Sequence, residues 1–400
     1  MSPDHHLLSL VTFLPAAGAL LLCSFRRDSV AAIRVVALLF TIVTALAAIP
    51  LVCGFEPRAG YQFAEFAPWI DIAGRFEANY AIGVDGISLF LVLLTVGMAP
   101  FVLASTFGEI QKRVKELAIA LLALETAMIG VFVALDLFLF YVFWEAMLIP
   151  MFLLIGVWGG ERRRYAAIKF FLYTMAGSLL MLLAILVSYQ QGEGTFSIPE
   201  LTRRLPEVDQ TRQAILFFGF AIGFAIKVPM FPFHTWLPDA HVEAPTAGSV
   251  VLAGVLLKMG TYGFVRFAIP FFPWAAHRYQ GLMMGLAAVG IVYGALLALA
   301  QTDLKKLIAY SSISHLGFVV LGLFSLTTLG ITGGVFQMIG HGLSTGALFL
   351  LVGVLYSRHH DRDLRSYGGL AKTAPNFSAL FFIILLASIG LPGLVGFVGE

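Results

Sequence analysis

Six side chains able to take up or release a proton stand inside strongly apolar runs. Glu145 lies in LFYVFWEAMLIP, Lys258 in AGVLLKMGTYG, His315 in SSISHLGF and His341 in QMIGHGLST. Lys227 comes just before the cluster Pro229, Pro232, Pro238 and Pro245, and Glu400 closes the sequence. A charged side chain at the centre of a membrane helix costs about 2.5 to 3.5 kcal/mol on insertion scales, so such residues usually face a bundle interior and mark ion or proton paths. Carboxylate, ammonium and imidazole groups at that depth can pass protons. All but Glu400 also have a plainer reading: an interhelical hydrogen bond for Glu145, a helix-end cation for Lys227, a snorkelling lysine for Lys258, and a neutral helix-bridging imidazole for His315 and His341.

The elements that hold these residues follow from composition. Of 400 residues, 59% are hydrophobic and only 12% are charged, against about 25% in soluble domains. Such a chain cannot clothe a globule in polar surface. Apolar runs bounded by charges, Gly or Pro predict twelve spans, from Leu7–Cys23 to Phe377–Glu400, among them Leu137–Trp158, Gln213–Pro229, Ala247–Ala268, Leu307–Ser325 and Thr328–Tyr356. These runs are too long for membrane β-strands of about ten residues, so the expected class is an all-α polytopic membrane protein. Net charge is +2 with no basic, aromatic-interleaved stretch, which argues against nucleic acid. Cys23 and Cys53 have no metal or disulfide spacing, and HTWLPDAHVEAPT, with His234, Asp239, His241 and Glu243, reads as a proline-shaped re-entrant loop rather than a metal site.

Alternate connections differ in basic residues. One set holds sixteen: Arg26, Arg27, Arg34; Lys112, Arg113, Lys115; Arg162, Arg163, Arg164, Lys169; Lys305, Lys306; and Arg358, Arg362, Arg365, Lys372. The other holds seven: Arg58, Arg75, Arg203, Arg204, Arg212, Arg266 and Arg278. The richer set faces the cytoplasm, which puts the N-terminus outside and leaves Lys227 and Lys258 as the lysines within spans. The first run has no cationic segment before it, so it reads as a retained span, not a cleaved signal; Leu22 ahead of Cys23 excludes a lipoprotein site.

Pro229 removes a donor and clashes with the carbonyl of Ala225, so span seven must break near Lys227. Broken membrane helices persist only where freed carbonyls line protein or water, as at transporter ion sites. Burial disfavours the lysine's charge there and a carboxylate favours it; Glu145 is the expected partner. Asp136-Leu137 opens span five and Asp303-Leu304 span ten, while Pro229 breaks span seven and Pro392 span twelve. An offset of five spans predicts two inverted five-helix repeats. Residues 1–116 then form three N-terminal helices with an outer loop at 54–86 lying as a cap, 117–268 the first repeat and 281–400 the second.

Five segments, GVDGISLF (Gly83–Phe90), LDLFLFYVFWEAMLIPMFLLIGVWGG (Leu135–Gly160), Phe224–Gly263, DLKKLIAYSSISHLG (Asp303–Gly317) and LPGLVGFVGE (Leu391–Glu400), together resemble the antiporter-like membrane subunits of respiratory complex I. That resemblance implies a proton-translocating subunit of NADH:quinone oxidoreductase in the bacterial inner membrane, with about fourteen helices in the family, so that this chain stops inside the twelfth. It implies a half-channel at Glu145 and Lys227, Lys258 as the connecting lysine, His315 and His341 in the polar axis, and Glu400 at its end. No cofactor is implied in this chain. NADH, flavin, iron–sulfur clusters and quinone would belong to partner subunits, and neighbouring antiporter-like subunits and the lipid bilayer are the expected partners. The rival reading is a subunit of a multisubunit cation (Na+)/proton antiporter, and an acid rather than a lysine at position 400 favours the complex I branch.

Overall fold

The computed structural model describes residues 6–57, 60–73 and 76–400; Arg58 and Arg75, counted above on the outer side, lie outside the described residues. In chain order the main elements are α1 (Leu7–Cys23), α2 (Val30–Ala47), β1 (Gln62–Asp71), β2 (Glu77–Val84), α3 (Ser88–Glu109), α4 (Val114–Val133), α5 (Leu137–Trp158), α6 (Arg163–Gln191), α7 (Gln210–Lys227), α8 (Trp236–Glu243), α9 (Thr246–Phe271), α10 (Gln280–Leu299), α11 (Leu304–Phe324), α12 (Thr328–His359), α13 (Pro375–Ser388) and α14 (Val395–Gly399). Among the described residues nine helices are long and apolar enough to cross a membrane, and α1 and α13 are shorter apolar helices. The chain is a helical multi-pass membrane protein.

Helices form here because Leu, Ala, Phe and Met runs satisfy every backbone group locally, which a lipid environment demands. Aspartates start two of them. Asp136 accepts from the amides of Phe138 and Leu139 at the head of α5, and Asp303 from that of Lys306 at the head of α11, each satisfying otherwise orphaned donors.

The chain divides into two units. The first comprises residues 1–154, 174–223 and 262–276. In it α1 packs on α2 and α4, and α4 on α3 and α5. Gly18 lets Phe40 approach, and Gly130 lets Phe143 approach, to distances at which any Cβ would collide. Within the loop expected to lie as a cap, the described residues fold as an antiparallel hairpin, β1 with β2. Its Glu65 is buried and accepts from the amides of Leu8 and Ser9, 2.8 and 3.0 Å away, at the start of α1. Asp85, just beyond β2, receives both hydrogen bonds from Arg266 at 2.6 Å. Arg266 also reaches the hydroxyls of Tyr61 and Tyr262, each at 3.1 Å. The charge count put Arg266 in a loop; it is instead the half-buried cation of a clamp on the last turns of α9.

The second unit comprises residues 155–173, 224–261 and 277–400. Its centre is α11 packed against α10 and α12, with Gly294, Gly317 and Gly322 at the helix crossings. Two further loop assignments are corrected here. Lys169 is in α6 and pairs with Asp239 at 2.7 Å, and Lys305 is buried, donating to the carbonyl of Ala244 at 2.8 Å. Both stand within the first two turns of helices, where a count of loop charges cannot tell an inward lysine from an outward one.

Candidate functional site: a buried line of proton-active groups

α7 ends at Lys227, as Pro229 requires. The Ala225 carbonyl, deprived of its normal partner, accepts from the amide of Met230 at 2.9 Å, and the Ile226 carbonyl accepts from the Trp236 indole N–H at 2.9 Å. The break therefore costs few hydrogen bonds. Lys227 is 1% exposed, its ammonium 5.8 Å from the centre of the Phe170 ring, within cation–π range. Gly260 faces it from α9: a Cβ there would stand 3.0 Å from Lys227 Cβ, 2.9 Å from the Phe224 carbonyl and 2.7 Å from Val228 Cγ2.

α9 is itself irregular, with π-helical segments at Leu252–Leu256 and Phe264–Ala268. Such bulges release carbonyls from the ladder and recur at functional sites. The first serves Lys258, whose Nζ donates to the Ala253 carbonyl, five residues back, at 2.5 Å. Lys258 is fully buried, and its Nζ lies 2.6 Å from His341 Nδ1.

From Lys258 the polar groups continue. The His341 and His315 rings are 5.7 Å apart between centroids. His315 Nδ1 is hydrogen-bonded to Glu400 Oε1, and the same oxygen accepts from Gln337 Nε2 at 2.6 Å. His341 Nε2 has no protein partner, and a buried polar atom of this kind is where an ordered water normally bridges. α9, α11, α12 and the chain after α13 each supply a member. The structure thus brings four of the six sequence-identified residues, Lys258, His341, His315 and Glu400, into one line within the second unit. Lys227 belongs to that unit as well, at the α7 break.

Glu145 belongs to the first unit, on α5. One turn earlier the Tyr141 hydroxyl is hydrogen-bonded to it and to Ser178, and Glu145 Oε1 is buried without a partner. Sequence reasoning missed Gln337, which has no charge to flag it, and Lys305. Around HTWLPDAHVEAPT the side chains go separate ways: Asp239 to Lys169, Glu243 to the amide of Arg162, and His241 flat against Phe349. Among the described residues no three His, Cys, Asp or Glu side chains gather as a metal site would require.

A linked set of ammonium, imidazole and carboxylate groups under apolar helices can carry protons in steps without redox chemistry of its own. The family model described as NADH:quinone oxidoreductase/Mrp antiporter, TM, matches residues 134–400. NADH-quinone oxidoreductase subunit M of Rhodobacter capsulatus is 50% identical over 410 residues, covering 99% of this chain and 79% of that protein. NADH-ubiquinone oxidoreductase chain 4 of Arabidopsis thaliana is 47% identical, covering 96% and 77%. Among solved structures, a chain of respiratory complex I from Thermus thermophilus with bound NADH superposes with a TM-score of 0.89 at 38% identity, over 98% of this chain and 80% of that one. A chain of an archaeal membrane-bound sulfane sulfur reductase superposes with a TM-score of 0.86 at 27% identity, over 98% and 64%. With its helices, its broken α7 and its matched residues accounted for, this chain belongs to the NADH:quinone oxidoreductase/Mrp antiporter family of membrane proteins.

Proposed function

We propose that the chain is a proton-translocating membrane subunit of NADH:quinone oxidoreductase, assembled beside other antiporter-like subunits in a bacterial inner membrane, with its N-terminus outside. The observation that carries this reading is the buried line from Lys258 through His341 and His315 to Glu400, in a chain half identical to a complex I subunit across nearly its whole length. NADH, flavin, iron–sulfur clusters and quinone act in partner subunits. This chain's share is to hold and release protons.

Glu145 and Lys227 act as the uptake pair. With Glu145 ionised, Lys227 keeps its proton; when that balance shifts, the proton leaves toward Lys258, crosses His341 and His315, and departs by way of Glu400. The inverted five-helix repeats, residues 117–268 and 281–400, belong to the same reading, with Lys227 and Glu400 at corresponding breaks. Moving one charge against the membrane potential requires about 2.3 kcal/mol per 100 mV, so the redox reaction must deliver several kcal/mol to these groups as changes in charge.

The test is Lys227→Ala in the assembled complex. In NADH-energised inverted vesicles, dye quenching by the acidified lumen is expected to disappear while the complex still assembles on a native gel. Wild-type pumping by an assembled variant overturns the mechanism. Migration of the tagged wild-type chain in a small complex without NADH dehydrogenase activity overturns the complex I assignment in favour of a free-standing antiporter.

A further inference from the structure

We infer that Gln337, on α12, is the positioning residue for Glu400, a neutral amide that stays hydrogen-bonded to the carboxyl group whether or not that group holds a proton; the inference rests on the proton-translocating reading above. Gln337 is 2% exposed. Its Nε2 donates to Glu400 Oε1 at 2.6 Å, and that oxygen is also the one hydrogen-bonded to His315 Nδ1. The other end of the amide, Oε1, is buried with no protein partner. A buried carbonyl oxygen left unused is costly unless some group donates to it at some stage. The packing around the amide is specific. A Cβ at Gly399, the residue before Glu400, would collide with the Gln337 side chain, and one at Gly340 would stand 3.5 Å from Gln337 Oε1. Two glycines therefore clear the space in which the amide lies.

An ionised carboxylate only accepts hydrogen bonds, whereas a protonated carboxyl group must also donate one. Gln337 Nε2 serves the first state. Oε1 serves the second once the amide makes a half-turn about its Cγ–Cδ bond, a soft torsion that exchanges two ends of nearly equal size. Glu400 takes up one proton from the His315 side and later gives one up, while the amide neither gains nor loses any. The carboxyl group is thus kept facing His315 at both stages. A lysine in place of Gln337 would hold the ionised form alone, and an apolar side chain would hold neither.

The experiment uses the intact complex, in inverted membrane vesicles for NADH-driven pumping and in mild detergent for infrared spectroscopy. Gln337→Met keeps the length and volume and removes both donor and acceptor. It is expected to assemble and to pump about tenfold more slowly, the size of one hydrogen bond to an ionised group. Gln337→Glu has the shape of glutamine and, when protonated, both donates and accepts, so it is expected to recover most of the rate. In infrared difference spectra between two pH values, the C=O stretch of protonated Glu400 is identified by its absence from Glu400→Gln. That band is expected at higher frequency in Gln337→Met, having lost a hydrogen bond. Should the methionine variant not assemble, Gln337→Leu is measured the same way. Wild-type pumping by an assembled apolar variant, a loss that Gln337→Glu does not relieve, or an unmoved carboxyl band overturns the inference. Lys227→Ala run in parallel separates the two failures: its loss of pumping beside a normal Gln337→Met sinks only the positioning role, whereas normal pumping in both sinks the translocation mechanism itself.

Discussion

Lys258 Nζ and His341 Nδ1 stand 2.6 Å apart with no solvent on either. At that separation one proton lies between them, so a proton given to either nitrogen is at once available to the other. Replacing the imidazole breaks this link and leaves the ammonium with the Ala253 carbonyl alone.

His341→Ala is accordingly expected to cut pumping at least about tenfold, a size typical of lost acid–base groups. His341→Gln, which keeps an acceptor but cannot pass a proton, should assemble better and pump no better. Dye quenching per NADH oxidised distinguishes the two effects.

Gly260 is fixed by contact rather than by turn geometry. A methyl group there meets the Phe224 carbonyl and the Cβ of Lys227 at the helix break, and backbone cannot yield as a side chain does. Gly260→Ala should destabilise the chain by about 1 to 3 kcal/mol, the usual range for overpacking. Reduced abundance of the assembled complex on a native gel, together with weaker pumping by what remains, is the expected result.

Asp85 gives a pH dependence with a definite sign. Burial alone would raise its pKa, but the Arg266 guanidinium beside it and the amides of Ser88 and Ile87 outweigh that, leaving it below the ordinary carboxylate value. A group whose folded pKa is depressed contributes stability at neutral pH and loses it as pH falls through the folded value. Asp85→Asn should therefore be less stable than wild type at pH 7, by about 3 kcal/mol for a broken part-buried pair. The difference should close as pH is lowered through the carboxylate range and below. Thermal unfolding in mild detergent from pH 7 downward measures it.

Asp136→Ala and Asp303→Ala each remove a helix cap, for about 1 kcal/mol. Hydrogen exchange at Phe138 and Leu139 in the first variant, and at Lys306 in the second, should rise while distant helices keep their protection. Asp136 also accepts from Asn79 on β2, so its loss should loosen the hairpin as well.

Much of the architecture was readable because its causes are local. Pro229 dictates the end of α7 through its own ring and missing donor, and the run at residues 137–158 is a helix of those bounds. Charges isolated within apolar runs pointed to Lys258, His341, His315 and Glu400, and the structure joins these four. Other features depend on partners far along the chain. Arg266 looks like a loop cation until Asp85, 181 residues away, is seen to receive it. Lys305 differs from Lys306 only in facing inward. The hairpin was obscured because irregularities interrupt its register near Gln62 and Pro68, breaking the two-residue alternation that marks a strand. Gln337 carried no signal at all, since a neutral amide in a helix is unremarkable until a carboxylate oxygen is found against it.

Glu65 on β1 sets an order of events during synthesis. The amides of Leu8 and Ser9 find their acceptor 57 and 56 residues downstream, on a segment made only after α1 and α2. Until that carboxylate arrives, the start of the first helix is unfinished, with polar amides that must remain in contact with water. Final seating of α1 thus waits on the hairpin, and a chain truncated before residue 65 should leave the start of its first helix more accessible than one that extends past residue 84.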